Sequence, residues 1–190
     1  ISQKKKNITN FTTFYEIYIF FRSKFSTKNF QMIERLQRNF IPEHYDLFLH
    51  VTPDHNLVEG HVSINFKKNQ DSDLIELHAG QNIGIKTITQ NGKTIEYTIN
   101  NSKLIIQKPS SQEYDFSDYP IIIDYTIEPF QYEKKGLYIH NGNYLTQLEP
   151  NHARNLFPCF DEPCIRSAFT VTIKIPSYLT GISNMPIEKV

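Results

Sequence analysis

The chain has 190 residues, of which 39% are hydrophobic, and this suits one domain of ordinary size, alone or with a tail. Its formal net charge is zero, but residues 1–31 carry six Lys or Arg against one Glu, so the remainder carries about −5. That remainder holds no basic patch interleaved with aromatic residues, which argues against a nucleic-acid-binding protein. The two cysteines, Cys159 and Cys164, complete neither a disulfide scaffold nor a zinc knuckle, and free thiols mildly favour a reducing compartment.

The first 38 residues differ in character from the rest. Residues 11–21 form an aromatic-rich run that is interrupted by Glu16 and is too short to span a bilayer. The run lacks a small-residue cleavage site and makes a poor signal peptide, although a basic leader with almost no acid resembles an organellar transit peptide. We predict that residues 1–38 are a leader, disordered or partly helical with a short helix near 26–38. We further predict that Met32 is the natural start, so that residues 1–31 are either a disordered leader or translated upstream sequence.

From Asn39 onward, apolar and polar residues alternate with a period of two, which is typical of half-buried β-strands. The Asn-Gly pairs at 91–92 and 141–142 are strong hairpin signals. The sequence predicts an all-β domain over residues 39–190, built as an antiparallel β-sandwich or a strongly bent sheet. Because a further strand pattern begins at 187–190 and is cut off, we expect this domain to be incomplete at its C-terminal end and the chain to be a piece of a longer protein. The predicted strands are 45–51, 58–66, 75–79, 104–106, 121–127, 137–140, 144–148 and 169–175, together with two runs that flank Asn91-Gly92.

The segment from Gln147 to Pro163 concentrates polar groups on stiff backbone. Its three prolines each fix a backbone dihedral and remove a hydrogen-bond donor, so the segment is neither ordinary sheet nor continuous helix. Polar groups held on irregular backbone build a functional site as readily as a tight corner. The candidates within the segment are Gln147, Glu149, Arg154, Asp161 and Glu162.

No complete catalytic machinery is encoded in the 190 residues. A phosphate-cradling glycine loop, a Gly-x-Ser-x-Gly elbow and a Cys-x-x-Cys pair are all missing. None of the seven histidines is followed by Glu, so the chain has no His-Glu-x-x-His zinc helix. We interpret His44, His50 and His61, on the polar sides of neighbouring predicted strands, as solvent-facing residues and not as metal ligands. The sequence therefore predicts no catalytic and no metal-binding residue in this chain.

A series of short motifs runs along residues 39–190 in the order Ile41–Leu47, Glu59-Gly60, Leu77-His78, Gly136–Tyr138, Gln147–Pro150, Ala153-Arg154, Phe157–Pro163, Phe169 and Ser183–Pro186. In this order they resemble the N-terminal domain of the zinc aminopeptidases that include aminopeptidase N and puromycin-sensitive aminopeptidase. The resemblance implies a saddle-like β domain packed on a thermolysin-like catalytic domain. The Gly-x-Met-Glu-Asn motif, the His-Glu-x-x-His zinc site and the general base belong to that second domain. We therefore expect zinc to be bound by the absent catalytic domain, and the 190 residues alone to be inactive.

The resemblance also implies that Gln147 and Glu149 reach the active-site cleft, where Glu149 helps to hold the free α-amino group of the substrate. Strand geometry agrees, because residues two apart point the same way at a spacing of about 6–7 Å, and Pro150 would end the strand directly after Glu149. At about 4 Å and an effective dielectric of about 20, one carboxylate–ammonium pair contributes about 4 kcal/mol before desolvation. A fixed anchor decides which peptide bond is cleaved, and Gln147 is expected to line the pocket for the first side chain.

The remaining charged residues of the segment are predicted to have a structural role. We expect Arg154, Asp161 and Glu162 to form an ion-pair network that fixes the loop from Pro158 to Pro163. Direct contact with the substrate is the alternative. A general base among these residues is disfavoured, because the resemblance assigns the base to the missing helix.

The sequence thus predicts the substrate-contacting N-terminal domain of a zinc metalloaminopeptidase, an enzyme that removes N-terminal amino acids from peptides. Two alternatives stay open, a scaffold relative that has lost its zinc site and an unrelated β-sandwich binding module. The intact Gln147 and Glu149 favour the enzyme, while the lack of Trp and the ordered motifs disfavour the module. The predicted partners are peptides with a free N-terminus and the chain's own catalytic domain, with no nucleic acid and no membrane span. A start at Met32 predicts a cytoplasmic protein, with an organelle or a membrane-anchored ectoenzyme as the alternative.

Overall fold

The computed structural model describes residues 3–10, 35–53 and 56–188, with side chains from residue 35 onward. Within these residues the chain forms twelve β-strands and no α-helix, which confirms the prediction of an all-β domain. A single-turn 3-10 helix, Ala153–Asn155, lies in the proline-rich segment. The strands are β1 (Gln3–Asn10), β2 (Phe40–Thr52), β3 (Leu57–Lys68), β4 (Leu74–His78), β5 (Ile83–Gln90), β6 (Lys93–Thr94), β7 (Tyr97–Asn100), β8 (Lys103–Gln107), β9 (Ile121–Ile127), β10 (Gly136–His140), β11 (Asn143–Gln147) and β12 (Ala168–Pro176).

Three sheets organise the described strands. The largest has seven strands in the order β1-β12-β2-β3-β9-β5-β6, the second has three in the order β4-β8-β7, and the hairpin β10-β11 forms the third. Neighbouring strands are antiparallel, as predicted, except for β12 and β2, which run parallel from Ala168 against His44 to Lys174 against His50. Parallel neighbours need a long crossover connection, and here the chain from β3 to β11 supplies it.

The residues predicted to face inward form the core. On β9, the residues Ile121, Ile123, Tyr125 and Ile127 are each at most 1% exposed, and β9 lies between β3 and β5. The buried apolar residues of the seven-stranded and three-stranded sheets belong to one hydrophobic core. Because such a core is close-packed, it is a stiff platform for the loops at its edge.

Both predicted Asn-Gly hairpins are confirmed. Asn91 and Gly92 join β5 to β6, and Asn141 and Gly142 join β10 to β11, all four with positive φ. Positive φ at both central residues gives the turn whose twist matches a pair of strands. The turn at Asn101-Ser102 between β7 and β8 also has positive φ, at 48° and 63°, but without a glycine it gives no comparable signal in the sequence.

Strand β1 differs from the leader that the sequence predicts. Residues 1–38 are expected to be disordered or partly helical, yet Gln3–Asn10 pairs antiparallel with β12 from Pro176 to Phe169. Without this pairing, the edge of β12 would present a row of unpaired backbone donors and acceptors. The helix expected near 26–38 lies mostly outside the described residues, and residues 35–39 form no helix. The division into leader and domain stays a prediction. In the described part of the chain, no helix has the length and apolar character needed to cross a membrane.

Gly60 of β3 makes room for a core tyrosine. A Cβ atom at Gly60 would lie 2.2 Å from Cζ of Tyr125, which is too close for two carbon atoms. We expect Gly60→Ala to lower the free energy of unfolding by about 1–3 kcal/mol, because the buried ring has to move. Urea unfolding followed by circular dichroism measures the change.

Gly181→Ala is the matched control for this substitution. A Cβ atom at Gly181 would meet only Cδ1 of Ile175, at an ordinary 3.5 Å, so little change in stability is expected. Equal stabilities of the two alanine variants would contradict the close approach of Tyr125 to Gly60.

Candidate functional site

Gln147 and Glu149 lie where strand β11 gives way to a turn. The strand ends at Gln147, and Glu149 lies in the turn, with a cis peptide bond to Pro150. The strand thus ends one residue before the predicted end at Leu148, and Glu149 lies outside it. The reason lies in Leu148, whose carbonyl accepts a hydrogen bond from the N–H of His152 at 2.8 Å and so closes a turn.

The side chains of Gln147 and Glu149 are both exposed. Within the described chain, neither side chain has a hydrogen-bond or ion-pair partner. The other two carboxylates of the segment are different, because those of Asp161 and Glu162 are paired with arginines and only 7% and 10% exposed. Glu149 is therefore the one carboxylate of this segment that remains open to a ligand.

Arg154 and Asp161 form a half-buried ion pair across the segment. Nε of Arg154 donates to Oδ2 of Asp161 at 2.7 Å, and its Nη2 donates to the Asp161 carbonyl at 3.3 Å. The backbone N–H of Arg154 reaches the same Oδ2 at 3.3 Å. Such charge-assisted bonds are stronger than neutral ones. They tie the 3-10 helix to the loop that follows Phe160.

Glu162 belongs to a second, separate ion pair. Its Oε1 accepts from the N–H of Leu36 and its Oε2 accepts from Nη2 of Arg38, both at 2.9 Å. Burial opposes ionisation of this carboxylate, but the hydrogen bonds from Leu36 and Arg38 outweigh it and lower its pKa. The expected network of Arg154, Asp161 and Glu162 is thus divided into two pairs, and the second pair fastens the loop to the chain before β2.

His78, at the end of β4, is not among the site residues that the sequence predicts. Its backbone exchanges two hydrogen bonds with Cys159, at 2.8 and 3.0 Å, and its Nδ1 accepts from the N–H of Asp161 at 3.2 Å. Burial, together with the nearby charge of Arg154, lowers the pKa of His78 to about 4. The ring is therefore neutral at pH 7 and able to accept a hydrogen bond. No local pattern predicts this contact, since the partners lie 83 residues apart in the chain.

Hydrogen bonds and one close backbone contact hold the 3-10 helix against its neighbours. The N–H of Gly80 donates to the carbonyl of Arg154 at 2.7 Å, and Nδ2 of Asn82 donates to the carbonyl of Asn155 at 2.9 Å. On another side, Gly136 of β10 lies so close that a Cβ atom there would be 2.2 Å from Cβ of Asn155. The 3-10 helix that follows the turn at Glu149 is therefore packed tightly against the rest of the domain, whereas residues 149–151 of that turn are exposed.

The described residues contain no group of three or more His, Cys, Asp or Glu side chains that could hold a metal ion. His50 and His61 contact Glu59 and Asp124 separately, and His44 lies within hydrogen-bond distance of a threonine. These cross-strand pairs lie on the outer face of the large sheet. A donor set for zinc is therefore not assembled in the part of the chain that the structure describes.

Comparison with known proteins relates the chain to one family. Residues 41–190 match the family model described as the Peptidase M1 N-terminal domain. The chain is 30% identical over 149 residues to probable aminopeptidase 1 of Sulfurisphaera tokodaii, a match that covers 76% of this chain and 17% of that protein. It is 30% identical over 173 residues to puromycin-sensitive aminopeptidase of Caenorhabditis elegans, covering 81% of this chain and 18% of that protein.

The fold has a counterpart among solved structures. An M1 zinc metallopeptidase from Deinococcus radiodurans matches with a TM-score of 0.63 at 20% identity, covering 77% of this chain and 35% of that chain. Fold and sequence together define the class of this protein, a β-rich domain of the type found at the N-terminus of M1 peptidases. The chain belongs to the Peptidase M1 family, within its N-terminal domain, as the order of its motifs predicts. It spans less than a fifth of the length of the aminopeptidases that it matches.

The ion pair of Arg154 and Asp161 should matter for stability. We expect Asp161→Asn to lower the free energy of unfolding by about 2–3 kcal/mol, because it leaves the half-buried guanidinium of Arg154 without its counter-ion. Urea unfolding at pH 7 measures the loss. Asp71→Asn is the control, since the carboxylate of Asp71 is 95% exposed in its pair with Lys68 and should contribute little. A loss no larger than that of the control would show that the buried pair is not stabilising.

Acidification should destabilise the fold through His78. Its folded-state pKa of about 4 lies below the ordinary value of 6.5, so between these values the unfolded chain binds a proton that the native chain does not. Stability therefore rises with pH across this range and falls on acidification, by about 2 kcal/mol from pH 7 to pH 5 for this ring. Asn at position 78 keeps an acceptor but does not titrate. Urea unfolding at both pH values should show a smaller loss for His78→Asn, and an equal loss would contradict a buried neutral ring.

Proposed function

We propose that this chain is the substrate-contacting domain of an aminopeptidase, and that Glu149 holds the α-ammonium group of the peptide. The observation that carries the proposal is the free carboxylate of Glu149. Of the three carboxylates between Gln147 and Pro163, those of Asp161 and Glu162 are engaged by arginines, whereas that of Glu149 is exposed and unpaired within the described chain. A cation from outside the domain can therefore bind it without breaking an existing ion pair.

Amine recognition by Glu149 accounts for the removal of one residue at a time. A carboxylate attracts the full positive charge of a protonated amine more strongly than it attracts the neutral N–H groups inside a peptide. An ammonium bound at a fixed point also sets the distance from the anchor to the first peptide bond. Gln147, which ends β11, carries donor and acceptor atoms and is proposed to contact the first residue of the substrate.

Hydrolysis is proposed to depend on zinc that is held by residues outside these 190. The chain has no His-Glu-x-x-His motif, and its described residues assemble no metal-binding cluster. When bound in such a peptidase, zinc supplies Lewis-acid activation of the peptide carbonyl and of water. The part played by this chain is to bind and orient the peptide, and we expect the 190 residues alone to be inactive.

The proposed partners are peptides with a free N-terminus and the catalytic domain of the same protein. A scaffold relative without a zinc site is a weaker explanation, because the Gln147-x-Glu149 and Pro158–Pro163 motifs are intact and a scaffold does not need to bind an ammonium group. The cytoplasmic location stays a prediction of the sequence, with an organelle or a membrane-anchored ectoenzyme as alternatives.

Glu149→Gln in the full-length enzyme tests the anchor. The amide keeps the size of the side chain but removes its charge, so we expect kcat/KM for an aminoacyl-arylamide to fall about 10- to 100-fold, with a higher KM and a lower kcat. Steady-state kinetics at pH 7 measure the change. Glu113→Gln, at an exposed carboxylate outside the proline-rich segment, is the matched control and should behave like the wild type. Wild-type kinetics for Glu149→Gln would refute the proposal.

A further inference from the structure

His78 is a buried titratable side chain that the proposed function does not use, and a chain of contacts joins it to the candidate site. The N–H of Asp161 donates to Nδ1 of His78 at 3.2 Å. The Asp161 carboxylate accepts in turn from Nε and from the backbone N–H of Arg154, at 2.7 and 3.3 Å. His78 and Asp161 are both buried, so these bonds are shielded from competition by water.

The contacts continue from Arg154 to the backbone between the two proposed substrate residues. Arg154 lies in the 3-10 helix that follows His152, and the N–H of His152 donates to the carbonyl of Leu148 at 2.8 Å. Leu148 stands between Gln147 and Glu149 in the chain. This bond joins the residue before the 3-10 helix to the backbone from which Gln147 and Glu149 extend.

We propose that His78 is a positioning residue for the amine anchor. Its Nδ1 holds the backbone of Asp161, and the ion pair of Asp161 with Arg154 then holds the turn that directs Glu149. This inference rests on the proposed function of Glu149. It assigns His78 no catalytic role, because His78 acts only through other residues of the chain.

The role requires a neutral imidazole, because a protonated ring has no acceptor. Burial of the ring disfavours its protonation, and the nearby positive charges of two basic side chains also disfavour it. The negative charges of two nearby carboxylates favour protonation but do not outweigh the burial. With Nδ1 accepting from a backbone N–H, the ring proton lies on Nε2. The cations are Arg154 and Lys103, and the carboxylates are Asp161 and Glu162.

Two inhibitors that differ only in the amino group measure amine anchoring in the full-length enzyme. Leucine hydroxamate carries the α-amino group, and isocaproyl hydroxamate lacks it. The inhibition constant of isocaproyl hydroxamate divided by that of leucine hydroxamate reports recognition of the amine, and a lower ratio means weaker recognition. This ratio does not depend on the folded fraction of the enzyme. We expect His78→Leu to lower this ratio about tenfold, because the turn loses its support. We expect His78→Asn to keep the ratio within about twofold, because its amide oxygen can replace Nδ1.

Glu149→Gln separates the failure of this inference from the failure of the proposed function. If Glu149→Gln leaves the ratio at its wild-type value, the anchor itself is refuted. If Glu149→Gln lowers the ratio and His78→Leu does not, only the role of His78 is refuted. The double variant should lower the ratio no further than Glu149→Gln alone, and additive losses would overturn an action through Glu149.

His78→Gln takes the place of His78→Leu if the latter does not fold, as judged from its thermal unfolding transition. Its amide oxygen lies one bond beyond the position of Nδ1, so we expect a ratio clearly below that of His78→Asn. Equal ratios in the wild type, His78→Asn and His78→Gln would overturn the inference. Equal shifts of both inhibition constants would do the same, since they indicate a general structural effect.

Discussion

The buried carboxylate of Asp161 is the constraint on which the rest of the site depends. A charge removed from water is tolerated only where a counter-ion and hydrogen-bond donors surround it. Arg154 supplies both the counter-ion and a second donor, its backbone N–H. The backbone N–H of Asp161 is bonded separately to His78. Together these contacts draw the end of β4, the 3-10 helix and the loop after Phe160 to one point. A segment with three prolines and little regular structure thereby acquires a defined conformation.

The acidic side chains between Gln147 and Pro163 are of two kinds, those that form ion pairs within the domain and one that is exposed and unpaired among the described residues. Asp161 and Glu162 are withdrawn from water and engaged by arginines, so their charges hold the chain together. Glu149 lies a short distance along the chain, exposed and without a partner among the described residues. The proposed binding role of Glu149 combines this free carboxylate with a well-held neighbouring element, since Gly136 packs closely on Asn155 of the 3-10 helix that follows.

Much of the fold could be predicted from the sequence because local patterns encode it. Alternation located the strands and their buried faces, and the Asn-Gly pairs located two hairpins. Contacts between distant parts of the chain leave no such pattern, as the pairing of β1 with β12 and the bond of Glu162 to Arg38 illustrate. Within the site, Gln147 and Glu149 were predicted as substrate-binding residues from the resemblance of the motifs to those of the zinc aminopeptidases. The sequence does not predict the contact of His78, because its partner lies in a loop 83 residues away.

The position of β12 in the large sheet has a consequence for biosynthesis. β12 is the latest of the described strands, yet it lies between β1 and β2. As the chain emerges from the ribosome, one side of the thirteen-residue strand β2 therefore lacks its native neighbour until Ala168–Pro176 has been translated. A long uncovered strand edge is a template for association between nascent chains. A chaperone bound near the tunnel exit would thus protect this domain most in the interval just before translation of β12 is complete.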